Sequence, residues 1–548
     1  MNWRKRTQGE AMSKLLMSFG AALCATMLGA CGSSSQTAMV ATSTAHGTLA
    51  VDPPFRIASL DAAAFQAELT GSSSGAQLLQ ITGNPACGVD FYYVKFWTVG
   101  GAGESTESSG ALMIPTGAAP GCSGPRPIVL YAHGTNPDKT LNIADVTNPS
   151  NSEGVLIAAM FAAQGYIVVA PNYAGYDIST LGYHPFLNAE QQSGEMIDIL
   201  RAARTALPKT LSSATSDGGK LFITGYSEGG HVAMATQRAL EASGAVITGA
   251  APLSGPYAME AFGDAILFGN VNLGSTVFAP LIGTSYQKAY GNIYSTPADL
   301  YSASYVDGIE TLLPSATPID TIFSTALLPE TALFDSATPL VTVPGNAVLS
   351  AELTALLSVP GSANYPLPPT PQTPLFAAGF GSPYLLNNSY RVSYALDAAG
   401  NPDGAVPTPS VGVPLAHTVP VQPLRQALYK NDLRNGGWAP TAPTLLCGGD
   451  QDPTVFFSVN TETMAAFWSP LVQAGLITVL DVSGTPAGPF AALQGGFQQS
   501  QAAQLAFYES AAGGGLSPAA GQLLIVQGYH GAVAPFCAAA ARAFFSQL

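Results

Sequence analysis

Charge is scarce in this chain of 548 residues. Asp, Glu, Lys and Arg make up 10% of it, where soluble domains average about 25%. Basic residues are scarcest: 19 Lys and Arg face 34 Asp and Glu, a formal net charge of −15. Such a chain lacks the cationic footprint that phosphate backbones need, which excludes nucleic-acid binding. The six cysteines contain no Cys-x-x-Cys pair, so the usual zinc spacing is missing. No internal repeat is present, which excludes a propeller. Beyond residue 30 no stretch is long and apolar enough to span a bilayer. Val155 to Ala170 comes nearest and is broken at Gln164-Gly165. What is abundant is apolar residues at 47%, with 58 Gly and 42 Pro. That apolar content suffices for a large core and excludes disorder over most of the chain.

The first thirty residues have the pattern of an export signal. Arg4, Lys5, Arg6 and Lys14 precede an apolar stretch from Leu15 to Leu28, too short for a comfortable span. It ends in Leu28-Gly29-Ala30-Cys31, followed by Gly32 and three serines. This resembles a bacterial lipobox, in which Cys31 becomes the lipidated mature N-terminus. By resemblance to lipoprotein sorting, Gly32 in place of Asp points to the outer membrane or cell surface. Removing residues 1–30 leaves 15 basic against 33 acidic residues, a net charge of −18. Residues 31–52, rich in Ser, Thr and Ala, are expected to form a flexible tether. Cys87, Cys122, Cys447 and Cys537 remain, an even number in an exported chain, which implies two disulfides. Cys87–Cys122 and Cys447–Cys537 is the favoured pairing among three. The first would bracket a run of hairpins and the second would flank two of the candidate functional residues discussed below.

Strands and helices then alternate. Gly88 to Gly100 and Gly110 to Pro115 read as an antiparallel edge hairpin. Pro127 to Ala132, Ile167 to Ala170, Leu221 to Thr224 and Val246 to Leu253 are short, wholly apolar runs, the pattern of buried strands. Helices are expected at Ile157 to Gln164, Ala189 to Ala206 and His231 to Ala242. This alternation predicts a mainly parallel sheet flanked by helices. From Gly255 to Val421 it breaks into Pro-, Ala-, Thr- and Ser-rich chain with isolated helical patches such as Asn346 to Leu357. A structureless loop of that length is implausible, so residues 256–421 are expected to form a cap with its own small core. Residues 53–255 and 422–548 would make the main domain. Strands are expected again at Thr444 to Leu446, Leu476 to Val482 and Gln522 to Gln527.

Gly225-Tyr226-Ser227-Glu228-Gly229-Gly230 lies between a predicted strand and a predicted helix. That is the context of a nucleophile elbow, where flanking glycines permit a sharp reversal and the helix N-terminus stabilises an oxyanion. A serine alcohol needs a base, and the base an orienting acid. Of six histidines, His417 and His530 lie downstream at a useful distance. His417 sits in the Pro-rich segment. His530, in Gly528-Tyr529-His530-Gly531, would follow the strand LLIVQ and precede an Ala-rich helix, so it is the expected base. The acid is expected at Asp452 in Gly449-Asp450-Gln451-Asp452-Pro453-Thr454-Val455, with Asp450 as the alternative. A bridge between Cys447 and Cys537 would clamp the acid and base loops. The oxyanion would be held by the N–H groups of Glu228 and Thr135, with Gly134 as the alternative to Thr135 in His133-Gly134-Thr135.

Taken together, PIVLYAHGT, GYIVVAPNYAGYD, HPFLNAEQQSGEMIDILRAAR, GYSEGGH, GGDQDPTV and GYHG resemble an α/β-hydrolase. The resemblance is to bacterial lipases and esterases related to the secretory lipase family typified by Candida lipase A, over roughly residues 85–260 and 425–548. It implies an exported serine hydrolase cleaving small-molecule or lipid carboxylic esters through an acyl-enzyme. It implies no cofactor, and the membrane would be met only through the N-terminal lipid. The gap from Asp452 to His530 is longer than usual. Apolar residues of the cap (Phe268, Phe278, Leu281, Ile282, Leu327, Leu328) would bind an acyl chain or form the cap's own core. A prolyl-oligopeptidase-type peptidase and a polyester depolymerase are the competing readings, the former opposed by the missing propeller. An inactive binding protein on the same fold is opposed by the complete Ser, Asp and His set.

Overall fold

Strands with alternating outward side chains explain the sheet. The computed structural model describes residues 45–148, 151–403 and 418–548. Strand β1 (Phe55–Leu60) leads to β2 (Gly88–Val99) and β3 (Ser105–Thr116), which pair over twelve residues from Gly88 opposite Thr116 to Val99 opposite Ser105. Then come β4 (Gly124–Ala132), β5 (Ile167–Pro171), β6 (Thr215–Tyr226) and β7 (Gly249–Leu253). Two two-residue strands, β8 (Phe334–Asp335) and β9 (Phe380–Gly381), pair with each other outside the main sheet. Finally β10 (Thr444–Gly448) and β11 (Ile477–Asp481) complete a nine-stranded sheet ordered β1-β2-β3-β5-β4-β6-β7-β10-β11. The strands from β5 to β11 run parallel in that order, and β1 to β3 form an antiparallel flank.

Successive side chains of β4 serve opposite faces, as the pleat requires. Val129 and Tyr131 enter one core with Phe222, Phe497 and Phe545, beneath the helices Ser152–Met160 and Tyr529–Phe545. Leu130 and Ala132 enter the other with Met196, Ile199 and Val232, beneath the helices Ala189–Ala206 and Glu228–Ala242. Both faces are therefore covered, which is why these strands are uniformly apolar.

Three expectations need correction. Residues Gln522 to Gln527 are not a strand. They belong to the helix Pro518–Gln527, capped by Ser517. A short apolar run does not distinguish strand from helix by periodicity; the Ser-Pro start does. His530 consequently stands in the first turn of the helix Tyr529–Phe545. Residues 45–52, assigned to the tether, lie along β2: Gly47 and Ala50 donate to the Trp97 and Lys95 carbonyls, and His46 meets Asp198 at 3.0 Å. Cys31 and the segments around it, like His417, lie outside the described residues. No single described helix is long and apolar enough to cross a membrane.

Residues 256–421 contribute helices Met259–Leu267, Ser275–Tyr290, Ala347–Leu356 and Asn388–Gly400, with a separate apolar core around Leu281, Tyr286, Ile322 and Leu328. Where Met259–Leu267 meets the helix Pro423–Asn431, the charges are internal. Arg425 reaches Asp264 at 2.8 Å and Glu260 at 3.0 Å, and Arg434 reaches Asp432 at 2.7 Å and Asp403 at 2.8 Å. Burial, partly offset by Arg425 and reinforced by Asp403, Asp264 and Asp432, pushes the Glu260 carboxyl up to about 8.

Both expected disulfides are formed, Cys87–Cys122 over 35 residues and Cys447–Cys537 over 90. Loop-closure entropy favours the longer by roughly 0.8 kcal/mol. In denaturant melts, Cys447→Ala/Cys537→Ala is expected to lose more stability than Cys87→Ala/Cys122→Ala. Glu260 keeps a proton in the folded chain that it loses unfolded above the usual carboxylate range. Stability therefore falls as pH rises toward 8 and levels off beyond. Glu260→Gln should flatten that slope in unfolding curves taken from pH 5 to 9.

Candidate active site

The site sits at the carboxyl ends of the parallel strands. Ser227 follows β6 at φ 61°, ψ −121°, and caps the helix Glu228–Ala242. Its N–H donates to the Leu253 carbonyl at 3.0 Å, and its carbonyl accepts from Gly230 N–H at 2.8 Å. A Cβ on Gly225 would overlap the carbonyl oxygens of Gly229 and Ala132, and one on Gly229 that of Ala132. The glycines are thus required by close approach of the helix start to β4 and β6.

Asp452 is buried in the turn after β10. Its Oδ1 accepts from the N–H groups of Thr454 at 2.8 Å and Val455 at 3.0 Å. Its Oδ2 lies 2.6 Å from His530 Nδ1. Asp450 stands apart: it is exposed and accepts from Ser483 Oγ at 2.9 Å and Tyr529 at 3.3 Å. With Nδ1–H turned to the carboxylate, the neutral His530 ring carries its lone pair on Nε2. That nitrogen is buried and has no hydrogen-bond partner, so Ser227 Oγ is not bonded to it in this structure. Such bonds commonly tighten only when substrate is bound.

Sequence reasoning missed the groups that hold these residues. Tyr226, the residue before the serine, donates its hydroxyl to the His530 carbonyl and packs its ring 4.9 Å from the imidazole. Glu228 was expected to matter only through its N–H. Its carboxylate is buried and lies 2.7 Å from His184 Nε2 and 2.7 Å from Gln192 Nε2. Burial would raise its pKa, but His184, His133 and Gln192 together hold the carboxyl below its ordinary range. His184 Nδ1 faces the Ala174 carbonyl at 3.0 Å. Across the site, the Glu153 carboxylate accepts from Gly134 N–H at 3.0 Å and from the Tyr131 hydroxyl at 2.7 Å. Gly134 N–H is therefore occupied, while Thr135 lines the cavity at Ser227. His133 is buried between the Gly134 and Asn172 carbonyls, against Tyr173. No local signal marks Glu153 or His184, because burial opposite a distant partner is not written in spacing.

An apolar cavity of about 110 Å³ opens beside Ser227, Thr135 and Glu228. Phe186, Met259, Phe262, Phe278 and Ile282 are among its walls. Of the apolar residues singled out between 256 and 421, only Phe278 and Ile282 reach it. Leu281 and Leu328 are buried in the separate core, Phe268 packs against that core, and Leu327 is exposed.

No protein-family model matches the chain, and no curated protein matches its sequence. Solved structures do. The rice cell wall degrading esterase LipA from Xanthomonas oryzae is 25% identical at a TM-score of 0.58, over 83% of this chain and 96% of that one. A Legionella pneumophila structure described as a hydrolase, 18% identical at 0.53, covers 78% of this chain and 90% of its own; at that identity it shows the fold alone. Candida antarctica lipase A, 13% identical at 0.39 over 80% of this chain and 76% of that one, carries no argument. The sheet order, the strand-to-helix reversal at Ser227 and the esterase neighbour agree: the chain is an α/β-hydrolase, a carboxylic ester hydrolase.

Proposed function

We propose that Ser227, His530 and Asp452 form the catalytic triad and that ester cleavage passes through an acyl-enzyme on Ser227. The observation that supports this best is the 2.6 Å contact between Asp452 and His530 Nδ1, which leaves Nε2 as the basic nitrogen. His530 Nε2 takes the Ser227 proton as Oγ attacks the carbonyl carbon. Asp452 keeps the tautomer and stabilises the imidazolium. The oxyanion is received by the N–H groups of Glu228, free at the helix start, and Thr135. Collapse of the tetrahedral intermediate expels the alcohol, protonated by His530. Water then repeats the sequence and releases the acid.

The cavity supports an apolar acyl or alkyl group on the substrate. Residues 256–421 supply much of its wall and are read as a cap over the site. LipA is named a rice cell wall degrading esterase and has been solved with a ligand bound, so polymer-borne esters stand beside lipid esters as the class to test. The two disulfides suit an exported protein. We further propose that it is anchored by a lipid on Cys31; mass spectrometry of the mature N-terminal peptide should show an acylated cysteine, and an unmodified one ends that reading.

The decisive experiment combines fluorophosphonate labelling with turnover of p-nitrophenyl esters of graded chain length. Ser227→Ala should lose labelling and about 10⁶-fold in kcat, and Asp452→Asn about 10⁴-fold. Labelling that survives Ser227→Ala would overturn the assignment. Tyr226→Phe removes one hydrogen bond to the His530 backbone and should cost roughly 5- to 10-fold in kcat with KM unchanged.

A further inference from the structure

We propose that the chain carries a second binding site, for a small organic carboxylate, in a cavity among the helices Ala189–Ala206, Ser275–Tyr290, Glu228–Ala242 and Pro423–Asn431. The cavity measures about 600 Å³ and shares no lining residue with the one at Ser227. The proposal does not depend on the triad.

Arg238 carries the inference. The other arginines among the described residues have a carboxylate or carbonyl partner. Arg238, half-buried and lining this cavity, has no hydrogen bond or ion pair among them. In a chain with 34 acidic and 19 basic residues, an unmatched guanidinium is the exception. Asp432 is the carboxylate that acts on it most, but Asp432 is already engaged by Arg434 at 2.7 Å and by Glu260 N–H at 3.0 Å. Burial lowers the Arg238 pKa, a cost that a bound anion would remove.

Two further donors face the same space. Lys430, also without a carboxylate, holds its ammonium 4.3 Å from the Tyr290 ring centroid. The Tyr290 oxygen accepts from Asn431 Nδ2 at 2.9 Å, which leaves its own proton for another acceptor. A planar guanidinium fork, a point cation and a phenol suit a carboxylate. The remaining walls include Ala189, Ala235 and Ala239, which suit a short apolar body. Glu190 also lines the cavity and pairs with neither cation. Its charge repels a dianion more than a monoanion, which favours an organic acid over phosphate.

The test is calorimetric titration of the full mature chain, carrying Ser227→Ala, with butyrate and with inorganic phosphate at fixed ionic strength. Saturable one-to-one butyrate binding, tighter than phosphate, is expected. Arg238→Gln should weaken it at least ~10-fold. Glu190→Gln, which leaves the cations in place, should tighten it roughly 2- to 5-fold. The second variant keeps the test open if Arg238→Gln does not fold. Absence of saturable butyrate binding, tighter phosphate binding, unchanged affinity in a folded Arg238→Gln, or no gain in Glu190→Gln would each overturn the proposal. Unchanged affinity in Arg238→Gln would place the butyrate in the apolar cavity at Ser227 instead.

Discussion

The structure turns on how closely a helix start can approach two strand ends. Gly225 and Gly229 bring the first turn of Glu228–Ala242 against the Ala132 carbonyl, and no side chain fits between them. That contact aligns β4, β6 and the helix in one step. It sets Ser227 at a positive φ with Leu253 of β7 holding its N–H. It also brings Glu228 and Thr135, from elements 93 residues apart in sequence, to the rim of one cavity. Behind the rim lie two buried carboxyl groups: that of Glu228, held by His184 and Gln192, and that of Glu153, which holds the Gly134 N–H. A buried charge is tolerated only when paired and hydrogen-bonded. These contacts therefore confine the backbone beside Ser227.

Asp452 and His530 are held by different means. Asp452 is oriented by two backbone N–H groups, so its free oxygen has one direction to face. His530 lies at a helix start, tied to β6 through Tyr226 and to β10 through the covalent link from Cys447 to Cys537, seven residues on. Strand, helix and disulfide thus converge on one imidazole. Its position is determined from several directions, while Nε2 remains unbonded.

Much of this was legible in local pattern. The parallel strands and the sharp reversal at Ser227 follow from apolar runs and glycine spacing, and the presence of two disulfides from the even cysteine count. What stayed hidden shares one cause. Glu153, His184 and Tyr226 act through partners 19, 44 and 304 residues away, and no spacing rule reports such distances. The LLIVQ segment failed for another reason. Four apolar residues fit strand and helix alike, and the deciding signal, Ser517-Pro518, lies outside the run. Residues 45–52 look featureless, yet β2 offers them an unpaired edge at Trp97 and Lys95. Backbone pairing orders them, joined by the His46 contact to Asp198.

The scarcity of charge takes on a structural meaning once its distribution is known. With so few basic residues, an even spread would leave each one at the surface. Instead Arg425 and Arg434 are fully buried where residues 256–264 meet 423–434, and each is shared by several carboxylates. Such clusters add little net stability against an apolar alternative, but they penalise misregistration heavily, because breaking one pair strands the rest in low dielectric. The apolar cavity wall at Met259 and Phe262 stands on the same helix as Glu260 and Asp264. Ionic registration of that helix therefore fixes the shape of the pocket beside Ser227. The helix that walls this pocket is positioned by the few charges the chain retains.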